Sequence, residues 1–322
     1  MPNRADPLKA PSLLADAETL ITTMDIRVRV SIDQCFLLNM VEEEPAAVAL
    51  RDVLLSAVRN GRVLCPIHPE ESVFESSLIR PELRQLVFDL QRSLAEDFCF
   101  HSFGARVHRE VVAFLLDRTL PVIWPRRFDP PDHEVEALSR FNRAGRNEYQ
   151  QRLDVVIPTD TTRSLSLERI LEDLATHHNQ SFLSVLDTLG NNLPLPAAPA
   201  TWEYAVAIGR RLRHLKVTIS DLERLRDWVG SGRWHQSADL ITFTRLWAAV
   251  ELDGLRNGRR AKPNDMLDIL RIAVAFADAN VVFCDNAMAS FVRQSRLNQV
   301  FPDRRVFGMR DIAEATTYIA SL

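Results

Sequence analysis

From Asp265 to about Ala277 the apolar residues Leu267, Leu270, Ile272, Val274 and Phe276 sit among alanines, a pattern that predicts a buried helix. The run that follows, NVVFC from Asn280 to Cys284, is short, β-branched and continuously apolar, as a strand covered on both faces of a parallel sheet should be. Near the other end of the chain Val28 to Ile32 predicts a second strand, about Arg62 to Ile67 a third, and Pro69 a helix start. Between these parts HREVVAFLLDRTL, LERILEDLATHHNQSFLSVLDTLG, WEYAVAIGRRLRHL and LITFTRLWAAVELDGL all place apolar residues at three and four spacing and predict helices. The proline-rich NNLPLPAAPA at Asn191 to Ala200 predicts a loop that divides this helical stretch, and no internal repeat or low-complexity tract is present.

Polar residues sharpen this α/β pattern at particular places. Asp33 follows the first strand and Asp285 follows the NVVFC strand, so each sits at a strand's C-terminal end. Asp265 and Asp268 fall in the first turn of the buried helix, on one face and at the positive end of its dipole. A helix packed on a parallel sheet runs antiparallel to the strands, so its start and the strand ends meet at one edge. Glu71 and Glu75, one turn apart after Pro69, point toward the same edge. Ligands of open α/β sheets bind outside the carboxyl ends of the strands, which makes these acids a candidate site. Clustered carboxylates repel unless a cation sits among them, and at least one should titrate above its ordinary range. Oxygen ligands without a matching Cys or His set favour Mg²⁺ or Mn²⁺ over zinc.

With Asp33 at a strand tip, an acid on the helix after the next strand, and DILRIAVAFADANVVFCD, the chain resembles the PIN-domain nucleases. Asp268 and Asp285 have that family's spacing of some seventeen residues between a helix-borne and a strand-end aspartate. The resemblance covers about Arg27 to Glu96 and Lys262 to Leu322. It implies a three-layer α/β/α sandwich on a parallel sheet and Mg²⁺- or Mn²⁺-dependent cleavage of single-stranded or structured RNA. It also implies service as the toxin of a pair held by an antitoxin protein, with a homodimer among the open oligomeric states. Carried over by position, Asp33, Glu75, Asp268 and Asp285 are its acidic quartet, Asp265 is an assisting metal ligand, and Glu71 is the reserve for Glu75. The expected organisation is an N-terminal extension (1–26), a first PIN-like part (27–100), a mostly helical insertion (101–240) and a second PIN-like part (241–322). The family pattern is departed from at two places: Gln34 and Cys35 stand where a small hydroxyl or amide residue commonly follows the first aspartate, and Cys284 replaces the Thr or Ser before the last one.

At 322 residues, 46% hydrophobic and 25% charged, the chain can bury a large core. The formal charge of −4 excludes a strongly basic nucleic-acid coat. Basic residues nonetheless concentrate between Arg210 and Lys262, where Lys and Arg outnumber Asp and Glu two to one. Arg259, Arg260 and Lys262, just before the Asp265 helix, are the expected phosphate-binding residues for RNA; the alternative is a solvated helical face. The first 24 residues, broken by charges and prolines, read as neither a signal peptide nor a membrane span. Cys35, Cys65, Cys99 and Cys284 form no CxxC pair and read as reduced thiols of a cytoplasmic protein.

Other features carry less. His177 and His178 are adjacent and point about 100° apart on a helix, so they cannot chelate one metal together. Trp228 and Trp234 flank a Gly-Ser-Gly turn, where helix-end packing competes with stacking on bases. Two alternatives to a nuclease stand beside it. One is a binding or scaffold protein acting through the helical insertion. The other is a phosphotransferase with Asp33 as nucleophile, which lacks the second aspartate that haloacid-dehalogenase-like enzymes place where Cys35 stands.

Overall fold

The computed structural model describes residues 27–76, 79–101, 106, 110–111, 113–115, 123–125, 128, 130, 166–193, 209, 212–213, 217–257 and 263–322. The extension 1–26 and the expected phosphate-binding residues Arg259, Arg260 and Lys262 lie outside them, as does the loop from 194 to 200.

Four strands form a parallel sheet: β1 (Val28–Ile32), β2 (Val63–Leu64), β5 (Val281–Phe283) and β6 (Arg305–Phe307), in the order β2-β1-β5-β6. β1 is central, pairing Val28 with Val63 on one side and Val30 with Val281 on the other, while β5 pairs Phe283 with Phe307. Strand order reverses between β1 and β5: the chain leaves β1 toward one edge and β5 toward the other. A crevice opens at such a point, just beyond the strand ends. A second, two-stranded antiparallel sheet joins β3 (Phe98–Phe100) to β4 (Ile123–Pro125), and Cys99 bridges in parallel to Ile67 beyond the end of β2. β4 lies inside the stretch expected to be mostly helical. Its run of Ile, Trp and Pro disfavours a helix, and Pro125 lacks an N–H to give, which suits the end of an edge strand.

Successive residues of a strand face opposite sides, and β5 feeds two cores in this way. Val281 and Phe283 pack with Val30, Phe36, Leu50, Leu54, Phe307 and Ile319, against α1 (Gln34–Val41), α2 (Pro45–Arg59), α4 (Pro81–Ala95) and α10 (Ile312–Ser321). Val282 and Cys284 pack with Ile269, Ile272, Phe276 and Phe291, against α8 (Pro263–Asp278) and α9 (Asn286–Gln294). Burying such a side chain stabilises by about 1.5–3 kcal/mol. Helices therefore cover both faces of the sheet.

The described part of the expected insertion shares the second core. Phe182 and Val185 of α5 (Leu167–Gly190) and Leu225 of α6 (Ile219–Gly230) belong to it, as does Leu246 of α7 (Ala238–Asn257), which starts at the insertion's end and lies along α8. The helix predicted over LERILEDLATHHNQSFLSVLDTLG is present over that same stretch as α5. Trp234 stacks on Phe182 with centroids 5.1 Å apart, and Trp228 stacks on Phe114 at 4.8 Å, so both tryptophans pack helix ends. A buried ion triad fastens the far end of α8: Arg106 pairs with Asp278 and places its Nε 2.9 Å from Asp239 Oδ1 on α7. Among the described residues no helix is long and apolar enough to cross a membrane, and all four cysteines are free.

Candidate functional site

Each of the two central strands ends in an aspartate that caps the helix after it. Asp33 Oδ1 accepts from Cys35 N at 3.1 Å at the start of α1, and Asp285 Oδ1 accepts from Met288 N at 2.7 Å at the start of α9. A cap of this kind contributes about 1 kcal/mol. The capping role accounts for an aspartate at each place but engages only one oxygen of each carboxylate. The other oxygen of Asp33 turns inward, accepting from Asp285 N at 3.3 Å and from Arg271 Nη2 at 2.5 Å. Near this edge the start of β6's following loop also comes close: a Cβ at Gly308 would meet Asn286 Oδ1 at 2.8 Å and Ala289 Cβ at 3.3 Å, so a larger residue there would displace the Asn286 side chain at the first turn of α9.

Arg271 organises the rest. Its Nη1 donates to Glu75 Oε1 at 2.8 Å, and its Nη2 lies 3.8 Å from Asp268 Oδ1. Glu75 is carried by α3 (Pro69–Ser76), the helix predicted to start at Pro69. Thus α3, α8 and the ends of β1 and β5 bring Asp33, Glu75, Asp268 and Asp285 to one edge, as the sequence leads one to expect. Asp265 is buried one turn before Asp268 on α8. Of Glu71 only the backbone, in α3, is described.

Sequence reasoning missed the guanidinium at the centre. The acids were expected to need a cation from outside, whereas the chain supplies one from within. Arg271 is the only charged residue of α8 between Asp268 and Asp278, in a run whose other members are apolar. That was the available signal, since a buried arginine must find carboxylates. Its side chain is 3% exposed. Burial opposes its charge, but Asp33, Glu75 and Asp268 outweigh burial and hold the guanidinium well above its ordinary range.

One internal cation does not balance the cluster. Burial, together with the charges of Asp33, Asp285 and Asp265, pushes the Asp268 carboxyl up from 3.8 to about 7, against the opposing pull of Arg271. The expected upward shift of one clustered acid is therefore found at Asp268. Desolvation, with Asp33 beside them, also raises the thiols of Cys35 and Cys284, so without a metal both stay protonated.

The donor set suits a hard divalent ion: oxygens only, in excess of the positive charge present, at the edge where the N-termini of α1, α8 and α9 meet. The side chains as arranged close on Arg271, and among the described residues no three His, Cys, Asp or Glu side chains stand ready to hold a metal together. Asp33 has both oxygens engaged and 6% of its surface exposed.

A neighbouring polar pair was also not foreseen. His68, just before α3, is buried, meets Ser31 Oγ through Nε2 at 2.9 Å and stacks on Phe100. Burial, with the charges of Arg271 and Arg106, holds it well below its ordinary pKa and therefore neutral. Gln34, at the position of one family departure, donates to Ser76 Oγ at 3.0 Å and ties α1 to the end of α3. His177 and His178 are 6.5 Å apart between ring centroids, and His178 lies against Phe243. No protein-family model, no curated protein and no solved structure matches the chain.

Proposed function

We propose that this chain is a Mg²⁺- or Mn²⁺-dependent endoribonuclease built on a PIN-like α/β/α sandwich. The observation that carries the proposal is the convergence of Asp33, Glu75 and Asp268 on Arg271, with the Asp285 amide on Asp33, at the strand-order reversal of a parallel sheet. Residues from three distant parts of the chain meet there, and the resulting negative charge is only partly neutralised. Asp33, Glu75, Asp268 and Asp285 are the residues that would hold the metal, with Asp265 behind Asp268. Bound there, two divalent ions would supply the nucleophilic water and stabilise the leaving oxygen of a phosphodiester, as in two-metal sites.

The chain's own part is positional. Capping fixes Asp33 and Asp285 with one oxygen of Asp33 facing the crevice and the Asp285 amide beside it. In the metal-free chain Arg271 holds the Asp33 and Glu75 carboxylates in place. Arg259, Arg260 and Lys262, immediately before α8 in the sequence, would contact RNA phosphates and give binding its salt dependence. A protein antitoxin is the proposed regulator and RNA the proposed substrate; a homodimer is compatible with both.

A second reading has one observation in its favour. Because Arg271 closes the cluster, the acids also serve as an ion network that fastens α3 and α8 to the sheet, which is all that a binding or scaffold protein would need. Cleavage assays separate the two. On metal-stripped protein resupplied with Mn²⁺, Asp285→Asn should retain the cap and the fold while RNA cleavage falls by about a hundredfold or more, since losing even a partner behind a metal ligand costs about 10–100-fold. Equal cleavage by the wild type and the variant would assign the activity to a contaminant and leave the scaffold reading.

A further inference from the structure

The oxygens a metal would need are already taken, and by a group on a flexible stem. Asp33 Oδ1 is committed to the α1 cap and Asp33 Oδ2 to Arg271 and to the Asp285 amide. Two of those three donors are backbone N–H groups fixed by helix starts. Only Arg271 is a side chain. The same guanidinium engages Glu75 at 2.8 Å and faces Asp268 at 3.8 Å. An ion coordinating Asp33 together with Asp268 or Glu75 at about 2.0–2.1 Å from each oxygen would share the space that the Nη atoms occupy.

We propose that Arg271 is the resident counter-ion of the acid cluster and gates metal loading, so that a divalent cation enters only as the guanidinium withdraws from Asp33 and Glu75. The inference rests on the metal-dependent reading above. It adds a regulatory step to it: without metal the site is closed and electrostatically tied, and loading exchanges one cation for another. Arg271 follows Asp268 by one helical turn on α8, so its withdrawal also frees the Asp268 carboxylate that it faces. Affinity for the ion is then the difference between two cation–carboxylate interactions. Wild-type metal binding is accordingly weak, and any contact that draws the guanidinium away strengthens it.

The test uses the full-length chain, stripped of metal, and Mn²⁺ as the probe. Mn²⁺ binding is followed by titration calorimetry for the wild type, Arg271→Lys and Arg271→Met, with thermal unfolding of each in chelator and in Mn²⁺. Arg271→Met should bind Mn²⁺ about tenfold or more tightly than the wild type, because an opposing charge at contact distance is gone. Its melting temperature, lowered in chelator, should rise with Mn²⁺ by more than that of the wild type. Arg271→Lys, which keeps the charge but lacks the planar fork whose two Nη atoms engage Asp33 and Glu75 separately, should fall between them. Equal Mn²⁺ affinity in all three proteins would overturn the gate and leave the nuclease reading standing. Absence of Mn²⁺ binding from all three would overturn the metal reading and the gate with it. Should Arg271→Met fail to fold in chelator, the wild type alone decides. The side-chain ¹⁵Nη signals of Arg271, whose Nη1 and Nη2 make the contacts to Glu75 and Asp33, should pass from protected to rapidly exchanging as Mg²⁺ saturates, and signals that stay protected at saturation refute the gate.

Discussion

Replacing Asp268 by Asn should remove a pH dependence of folding that the wild type carries. In the folded chain the Asp268 carboxyl is pushed up to about 7 by burial and by its acidic neighbours, while the unfolded chain titrates it near 3.8. The folded state therefore takes up this proton more readily than the unfolded state. The group's contribution to stability is complete below pH 4, shrinks as pH rises, and is fully lost above about pH 7. Its side chain is 21% exposed, so solvent screens it only partly. At about 1.4 kcal/mol per pH unit the whole interval corresponds to about 4 kcal/mol, of which about 3 kcal/mol falls between pH 5 and pH 8. Asn cannot ionise and gives up only the long contact with Arg271. In urea unfolding with a chelator present, the stability of Asp268→Asn relative to wild type should thus rise by about 3 kcal/mol from pH 5 to pH 8, at unchanged m value. Parallel pH profiles for the two proteins would refute the electrostatic account of the cluster. On the metal-binding reading, saturating Mg²⁺ flattens the wild-type profile as well, because it favours the ionised carboxylate.

Two further outcomes follow from burial elsewhere. Arg106→Met should cost about 3–5 kcal/mol in denaturant unfolding, because it strands Asp239 and Asp278 without their cation in the core, and an effect under 1 kcal/mol would show that the triad is solvated. In native protein Cys65, Cys99 and Cys284 should react with a thiol-specific disulfide reagent only on the timescale of unfolding, and Cys35 slowly because burial and Asp33 disfavour its thiolate; rapid labelling of any of them would contradict the packing described.

The central strands and α8 were legible because their apolar runs are long enough, or β-branched enough, to leave one interpretation. Once they were placed, Asp33, Asp268 and Asp285 had to meet, since a helix packed antiparallel to a parallel sheet brings its first turn to the strand tips. Glu75 followed from Pro69 by the same geometry. Arg271 was not legible by periodicity, which counts a residue among apolar neighbours as part of the pattern or as noise and does not ask where its charge goes. β4 was lost because three residues between helical patterns carry too little periodicity, and its pairing with β3 is set by tertiary contact. The capping roles of Asp33 and Asp285 were open to the sequence, since aspartate before a helix is the commonest of caps. The short Ser31–His68 and Gln34–Ser76 contacts depend on register between separate elements and leave no trace in either segment alone.

The pairing of β1 with β5 has a consequence in time. Asp33 and the Asp285 amide that donates to it are separated by 252 residues, so the two halves of the crevice leave the ribosome far apart. At about 5–20 residues per second that gap lasts roughly 10 to 50 seconds. Throughout it β1 has a neighbour only on its β2 side, and its other edge, with Val30 and Ile32, has nothing to pair with. The crevice can form only after β5 has emerged, and such long-range pairing is slow to nucleate. A growing chain would carry the first acids without the last ones, and whatever chemistry the assembled edge performs is withheld from the ribosome that is making it.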